Sequence, residues 1–314
     1  MSIRTPRPNR RRRGRLLSAA AVACAAATAA AGLFALNTPE GAGTAAARPA
    51  AAQNAAAGNS AAAANAATLI WRDEFNRPAG TAPDSAKWNV EVNGDGGGNG
   101  ELQYYTNRRD NLAHDGNGNM VITARKGNPG DYQCHYGRCQ YTSGRMNTAG
   151  KFEHAYGRFE ARIQIPTGQG IWPAFWMLGN DIGQVGWPAC GEIDIMENIG
   201  SKPADVHGSL HGPGYSGGNP ITGSYYHPQG WAFADTFHTF AVEWSPQSIT
   251  WFVDGVAYQT FTPADTRGNP WVYDHPFFMI LNVAVGGSWP GAPDAGTQFP
   301  QRMKIDYVRV YDLG

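Results

Sequence analysis

The chain has 314 residues, of which 42% are hydrophobic and 16% charged, with 40 glycines and 21 prolines; it is too apolar to be disordered throughout and lacks the strict period of collagen. Its net charge of zero hides an asymmetry: eight of the 25 basic residues but only one of the 25 acidic ones precede Thr68, which leaves 17 against 24 beyond it, a net charge of −7. An acidic folded part argues against a nucleic-acid partner, and all 10 tryptophans lie at Trp71 or later.

Arg10 to Arg13 and Arg15 precede an Ala-rich apolar stretch, Leu16 to Leu36, which stops at the helix-breaking run Asn37–Gly41. This reads as an export signal over 1–36, and the arginine pairs admit a twin-arginine route. A retained membrane anchor is the competing reading. The weak apolarity of alanine and the many small-residue cleavage sites favour removal, and hence a secreted, extracellular protein with no membrane contact. Residues 37–67 are Ala, Gly, Asn and little else, without a face of large apolar side chains, so a disordered linker or pro-segment is expected.

Residues 68–314 suffice for one large core. No 18-residue apolar run occurs there, so nothing is expected to span a membrane as a helix. Short alternating segments recur between Gly, Pro, Asn and Asp: Met120–Lys126, Gly157–Ile165, Gly191–Glu197, Thr239–Ser245, Ile249–Gly255, Phe277–Val285 and Met303–Tyr311. In Gly157–Ile165, Phe159, Ala161, Ile163 and Ile165 share one side and Glu160, Arg162 and Gln164 the other, the period of a strand. Phe277–Val285 is apolar on both sides and predicts a central strand. No convincing helical stripe exceeds three turns and no internal repeat appears. The pattern predicts an all-β fold of two packed antiparallel sheets. Export permits disulfides: Cys134 and Cys139 flank a turn-like stretch and are the expected pair, with Cys190 left as a small buried residue.

Three carboxylates fall within Gly191–Asn198: Glu192, Asp194 and Glu197. On a regular strand Glu192 and Asp194 share a face and Glu197 points away. One bulged residue at Ile195 or Met196 brings Glu197 back, giving an acidic row over about four strand rises, roughly 13 Å. Retaining cleavage of a glycosidic bond needs such a pair, one carboxylate as nucleophile and one carboxyl as proton donor, and three neighbouring acids cannot all ionise cheaply. A solvated acidic face or a calcium site also fits three carboxylates on one strand. Trp172, Trp176, Trp187 and Trp289 lie close in sequence to the acids or in a Gly-rich turn; an indole stacks on the C–H face of a sugar ring, although any one of them is equally at home in a core. His207 and His211 have metal-like spacing only on a helix, and the glycines around them argue for strand and loop. A zinc site is therefore not expected, and one of these histidines is expected to bond a sugar or the acid–base glutamate.

The stretch Trp71–Tyr311 resembles glycoside hydrolase family 16, specifically its bacterial endo-β-1,3-glucanases (laminarinases). The likeness rests on WRDEFN (Trp71–Asn76), NGELQYYT (Asn99–Thr106), YGRFEARIQIPTGQGIWPAFWML (Tyr156–Leu178), GEIDIMEN (Gly191–Asn198), HGSLHGPGY (His207–Tyr215), FHTFAVEW (Phe237–Trp244), ILNVAVGGSWPG (Ile280–Gly291) and KIDYVRVY (Lys304–Tyr311). It implies a concanavalin-like jelly-roll sandwich with a concave substrate cleft. By position it makes Glu192 the nucleophile, Glu197 the acid/base and Asp194 the residue that holds the nucleophile and tunes proton traffic. Trp172, Trp176, Trp187 and Trp289 become subsite walls, with Arg145, Glu101, Asn282, His207 and His211 as candidates for sugar hydroxyls. A structural calcium on the convex face would take ligands at the positions of Glu74, Gly118 and Asp306. The implied protein is a monomeric endo-hydrolase of β-1,3-glucan. Mixed-linked β-1,3-1,4-glucan, a galactan, or non-catalytic glucan recognition are the alternatives; the three retained acids and the acidic domain weigh against the last two.

Overall fold

Alternating side chains and glycine-rich turns give a chain built almost wholly of strands. The computed structural model describes residues 67–314; the expected export signal and all but the last residue of the expected linker lie outside the described residues. The strands are β1 (Thr68–Asp73), β2 (Asn89–Val90), β3 (Gln103–Tyr105), β4 (Leu112–His114), β5 (Met120–Lys126), β6 (Gln133–Cys134), β7 (Gly137–Arg138), β8 (Tyr141–Ser143), β9 (Arg145–Asn147), β10 (Gly157–Gln164), β11 (Ile171–Gly179), β12 (Glu192–Glu197), β13 (Asp205–His211), β14 (Ile221–Tyr226), β15 (His238–Ser245), β16 (Ser248–Val253), β17 (Val256–Phe261), β18 (Phe277–Val285) and β19 (Gln301–Asp312). Among the described residues, helix is limited to one α-turn, Ile182–Val185, and one 3-10 turn, Pro263–Thr266.

Two sheets carry the fold. The larger runs β17-β16-β15-β10-β19-β5-β8-β3, with β1 also on β19 and β4 on β5; the other runs β14-β13-β12-β11-β18-β9-β2, and β6-β7 form a separate small hairpin. The pairing is antiparallel as expected, except for β3 with β8, which is parallel. β10 presents Phe159, Ala161 and Ile163 to the core from one sheet, and β11 presents Ile171, Phe175 and Met177 from the other, all fully buried. Fully burying a side chain such as Phe175 is worth about 2–3 kcal/mol in transfer terms. β18 is buried at all nine positions, but its two faces differ. Met279, Leu281, Val283 and Val285 enter the main core. On the other face, Phe278 and Ile280 pack with Leu178 and Cys190 in a small second cluster, beside Asn282 and Ala284, which line a cleft.

β19 organises the larger sheet. One side pairs with β10 over Lys304–Tyr311, while the other changes partner: Gln301–Ile305 pairs with β5 and Val308–Asp312 with β1. Asp306 and Tyr307 sit at the switch. Cys134 and Cys139 are disulfide-bonded, and Cys190 is a free, buried thiol whose burial pushes its pKa up to about 11. No helix among the described residues is long and apolar enough to cross a membrane.

Candidate active site

β12 carries the acids, and both neighbouring strands register its irregularity. Asp194 pairs with Ser209 but Glu197 with His207, so three steps on β12 match two on β13. On the other side Trp176 faces Asp194 and Phe175 faces Met196. Ile193, Ile195 and Met196 all belong to the core; two consecutive inward residues are the bulge, and they leave Glu192, Asp194 and Glu197 on the cleft face. A bulge breaks the ladder, and the carbonyl of Asp194 accepts instead from the indole Nε1 of Trp251 at 2.7 Å. Trp251 is fully buried and reaches across from β16 of the opposite sheet. Gly208 on β13 makes room for it: a Cβ there would lie 2.4 Å from the Trp251 ring.

Each glutamate is held by a tryptophan. Trp172 Nε1 donates to Glu197 Oε1 at 3.0 Å, and Trp187 Nε1 to Glu192 Oε2 at 2.8 Å. The Nδ1 of His211 accepts from the backbone N–H of Gly217 at 3.1 Å, which leaves the ring proton on Nε2. That nitrogen lies 3.2 Å from Asp194 Oδ2 and 3.7 Å from Glu192 Oε1. It approaches Asp194 Oδ2 off the hydrogen-bonding direction, so this buried oxygen has no directed partner. His211 thus lies beside Glu192 and Asp194 and not beside Glu197. His207 instead packs edge-on against Trp289, ring centroids 5.1 Å apart.

Burial pushes all three carboxyls up. Glu192 rises to about 8, first through burial and then through repulsion from Asp194, with His211, Trp187 and Arg145 pulling the other way. Asp194 is raised by burial. Glu197 is raised well above the usual carboxyl range by burial and by both other acids, opposed by His211 and Trp172.

The cleft is lined by Gly97, Asn99, Glu101, Arg145, Trp172, Ala174, Trp176, the three acids, Asn282 and Ala284. The remaining sequence candidates join it through contacts: Trp289 meets Trp172 edge-on at 5.4 Å, and Trp187 reaches Glu192. Trp289 is 40% exposed and Trp187 47%, which leaves indole faces open to a ligand. Asn282 spends both ends of its amide on the wall, accepting from Trp176 Nε1 at 2.7 Å and donating to the Tyr105 hydroxyl at 3.2 Å. Arg145 bonds Glu91 at 2.9 Å and lies over the Trp176 ring at 4.8 Å. Glu101 accepts from Asn99, Gln103 and Tyr105.

Sequence reasoning missed Trp251, Tyr105, Gln103, Glu91 and the glycine loop around Gly97. Gly97, at φ +59, has no space for a side chain above Glu101, whose Oε1 would lie 2.5 Å from a Cβ. Gln103 and Tyr105 lie in the NGELQYYT stretch, which marks out only Glu101 by its charge; Trp251, Glu91 and Gly97 carry no local motif, and the packing across strands reveals them.

Glu74, Gly118 and Asp306 flank the partner switch on β19, remote from the cleft in the larger sheet. The carboxylate of Glu74 is taken by a bidentate pair with Arg309, both contacts 2.9 Å, and Asp306 accepts from Arg162 at 2.6 Å. A Cβ on Gly118 would lie 3.3 Å from Asn76 Oδ1. A hard cation could use backbone oxygens and the rest of the Asp306 carboxylate there, but not the Glu74 side chain without displacing Arg309. Among the described residues, the one group of His, Cys, Asp and Glu side chains close enough to share an ion is Glu192, Asp194 and His211.

Residues 99–309 match the family described as Glycosyl hydrolases family 16. The chain is 43% identical over 253 residues to a beta-glucanase of Rhodothermus marinus, covering 77% of this chain and 84% of that one. It is 41% identical over 262 residues to glucan endo-1,3-beta-glucosidase A1 of Niallia circulans, where it spans 77% of itself and 37% of the longer relative. Among solved structures it superposes on the laminarinase catalytic domain of Thermotoga maritima MSB8 with a TM-score of 0.73 at 50% identity, covering 78% of this chain and 98% of that one. The endo-beta-1,3-glucanase of Pyrococcus furiosus gives 0.72 at 47% identity, with 78% and 94% covered. With its bulged acidic strand and its jelly-roll sheets, the chain belongs to glycosyl hydrolase family 16.

Proposed function

We propose that the protein is a retaining endo-hydrolase of β-1,3-glucan, the activity named for several of its relatives. The observation that carries this is the bulge at Ile195–Met196, which turns Glu192, Asp194 and Glu197 to one cleft. Glu192 is the nucleophile: burial and Asp194 raise its carboxyl to about 8, and Trp187, His211 and Arg145 oppose that rise and favour the carboxylate that attacks. Glu197 is the acid/base: burial and two neighbouring acids favour its protonated form. The Glu192 carboxylate attacks the anomeric carbon while Glu197 protonates the leaving oxygen; Glu197 then takes a proton from the water that hydrolyses the glycosyl-enzyme. Asp194 lies between them and couples their protonation.

The tryptophan walls support a glucan over a sulfated galactan, since stacking serves a neutral ring and the cleft carries a net excess of acids. Comparison of laminarin, lichenan and agarose as substrates, with proton NMR of the first-formed reducing ends, tests the reading. Laminarin should be cleaved fastest, and the β-anomer should appear first. Faster cleavage of agarose, or an initial α-anomer, would overturn it.

The basic and apolar run at 1–36 supports secretion through a cleaved signal, and a monomer is the working form. A structural calcium held by backbone oxygens at Glu74 and Gly118 and by Asp306 would add stability by clipping the ends of β1 and β5 to β19, with no part in the chemistry.

A further inference from the structure

The cleft crosses the strands of the smaller sheet. Its residues come in turn from β9 (Arg145), β18 (Asn282), β11 (Trp172, Trp176), β12 (the acids) and β13 (His207, His211). One strand follows, the edge strand β14. Register sets Thr222 beside Ser209, Ser224 beside His207 and Tyr226 beside Asp205, so these three share the face that carries the acids. They are the exposed residues of β14, while Ile221, Gly223 and Tyr225 are half-buried. The floor of the cleft therefore continues as two hydroxyl side chains and then an aromatic ring. From Glu197, Tyr226 is two strand spacings across and two residues along, about 12 Å at the backbone.

Beyond Tyr226 the chain turns back and supplies a second ring. Trp231 is 64% exposed and Tyr226 63%, the two most exposed large hydrophobic residues among those described. A Cβ on Gly230 would lie 2.9 Å from the Tyr226 hydroxyl, so the tyrosine leans onto the segment that carries Trp231. One face of Trp231 stacks on His227, centroids 5.8 Å apart at 23°. His227 is itself held edge-on by Phe233 and His238, and His238 is fixed by Asp254 at 2.7 Å. The ring is thus backed from behind and open in front, as a stacking platform has to be.

We propose that Tyr226 and Trp231 form a distal subsite that holds the glucan chain where it leaves the cleft over β14, so that long chains bind better than short ones. This rests on the glucanase reading above. The occupant follows from continuity: a neutral polysaccharide lying across β13 is carried next over Ser224 and over Thr222, whose hydroxyl is bonded to Ser209 and Gly208, and then meets the exposed ring of Tyr226 with Trp231 beyond it.

The test is kinetics of the full chain, of Trp231→Ala, of Tyr226→Ser and of the double variant on two substrates, laminarin and laminaritetraose. Both positions are exposed, so the single variants should keep the parent melting temperature, and either one alone carries the test if the other loses stability. A several-fold rise in KM for laminarin, with kcat kept and with kcat/KM on laminaritetraose unchanged, supports the subsite. Equal losses on both substrates, or no loss on laminarin, overturn it while leaving the glucanase reading intact. A parent that cleaves neither substrate overturns both. Elution of the parent as a dimer that Trp231→Ala converts to a monomer would assign the patch to a second copy of the chain and overturn the subsite as well.

Discussion

Glu192 and Glu197 differ in what surrounds them more than in what they are, and substitutions should expose the difference. Glu192→Gln and Glu197→Gln should each lower turnover by several orders of magnitude with the fold intact, since an amide can neither attack nor donate the proton. Azide added to the corresponding alanine variants should give glycosyl azides of opposite anomeric configuration; near-normal activity of either glutamine variant would end the assignment. Asp194 offers a subtler test. Its charge helps to raise both glutamates, so Asp194→Asn should move the alkaline limb of the pH–rate profile to lower pH. An unmoved limb would show that Asp194 does not tune the proton. For stability the sign is reversed from that of a salt-bridged acid. A carboxyl whose folded pKa is raised binds its proton more tightly in the folded state, so stability is greatest below the unfolded value and falls as pH rises. For Glu192 that loss runs from the ordinary 4.5 to about 8. Melting curves of Glu192→Gln against the parent should therefore diverge across this window in favour of the variant, by on the order of a few kcal/mol at its upper end. The three acids and the four indoles were legible in the sequence as spacing and composition. The tethering of Glu192 by Trp187 and of Glu197 by Trp172 was not, because an indole reads equally well as wall or core until its N–H direction is seen.

The strand that matters most is the least regular. Parity alone demanded an extra residue near Ile195, and pairing on both sides places it there. Sequence could not show that the carbonyl freed by the bulge is answered from the other sheet. Trp251 lies in a segment that announces only a strand and a tight turn, and Gly208 looks like one more turn glycine. Trp251→Phe should leave the Asp194 carbonyl without its donor and open a void against Gly208. We expect a loss of about 2–4 kcal/mol from the two effects together, seen as a lower denaturation midpoint. At temperatures where the variant is folded, kcat should fall more than KM rises, because the bulge sets the acids rather than the walls. A variant with unchanged kcat would separate the bulge from the chemistry.

Alternation and turn residues were enough to read two packed sheets, the doubly buried β18 and the Cys134–Cys139 pair. The parallel β3–β8 pairing left no trace in the sequence, since both are three-residue strands whose partners lie far along the chain. The same holds for β19, whose length hides that it serves two partners on one side. A calcium ion at that switch should act on stability alone: a chelator should lower the melting temperature and leave low-temperature activity nearly intact. Immediate loss of activity at constant structure would instead place the metal at Glu192, Asp194 and His211. The pairing of Thr68 with Asp312 has a mechanical meaning as well. The first and last strands are antiparallel neighbours whose outer ends meet, so a pull applied between those ends loads their hydrogen bonds one at a time, as in a zipper, instead of all together in shear. β1 should therefore peel away at low force, while β10, β15 and the strands that carry the cleft stay assembled behind it.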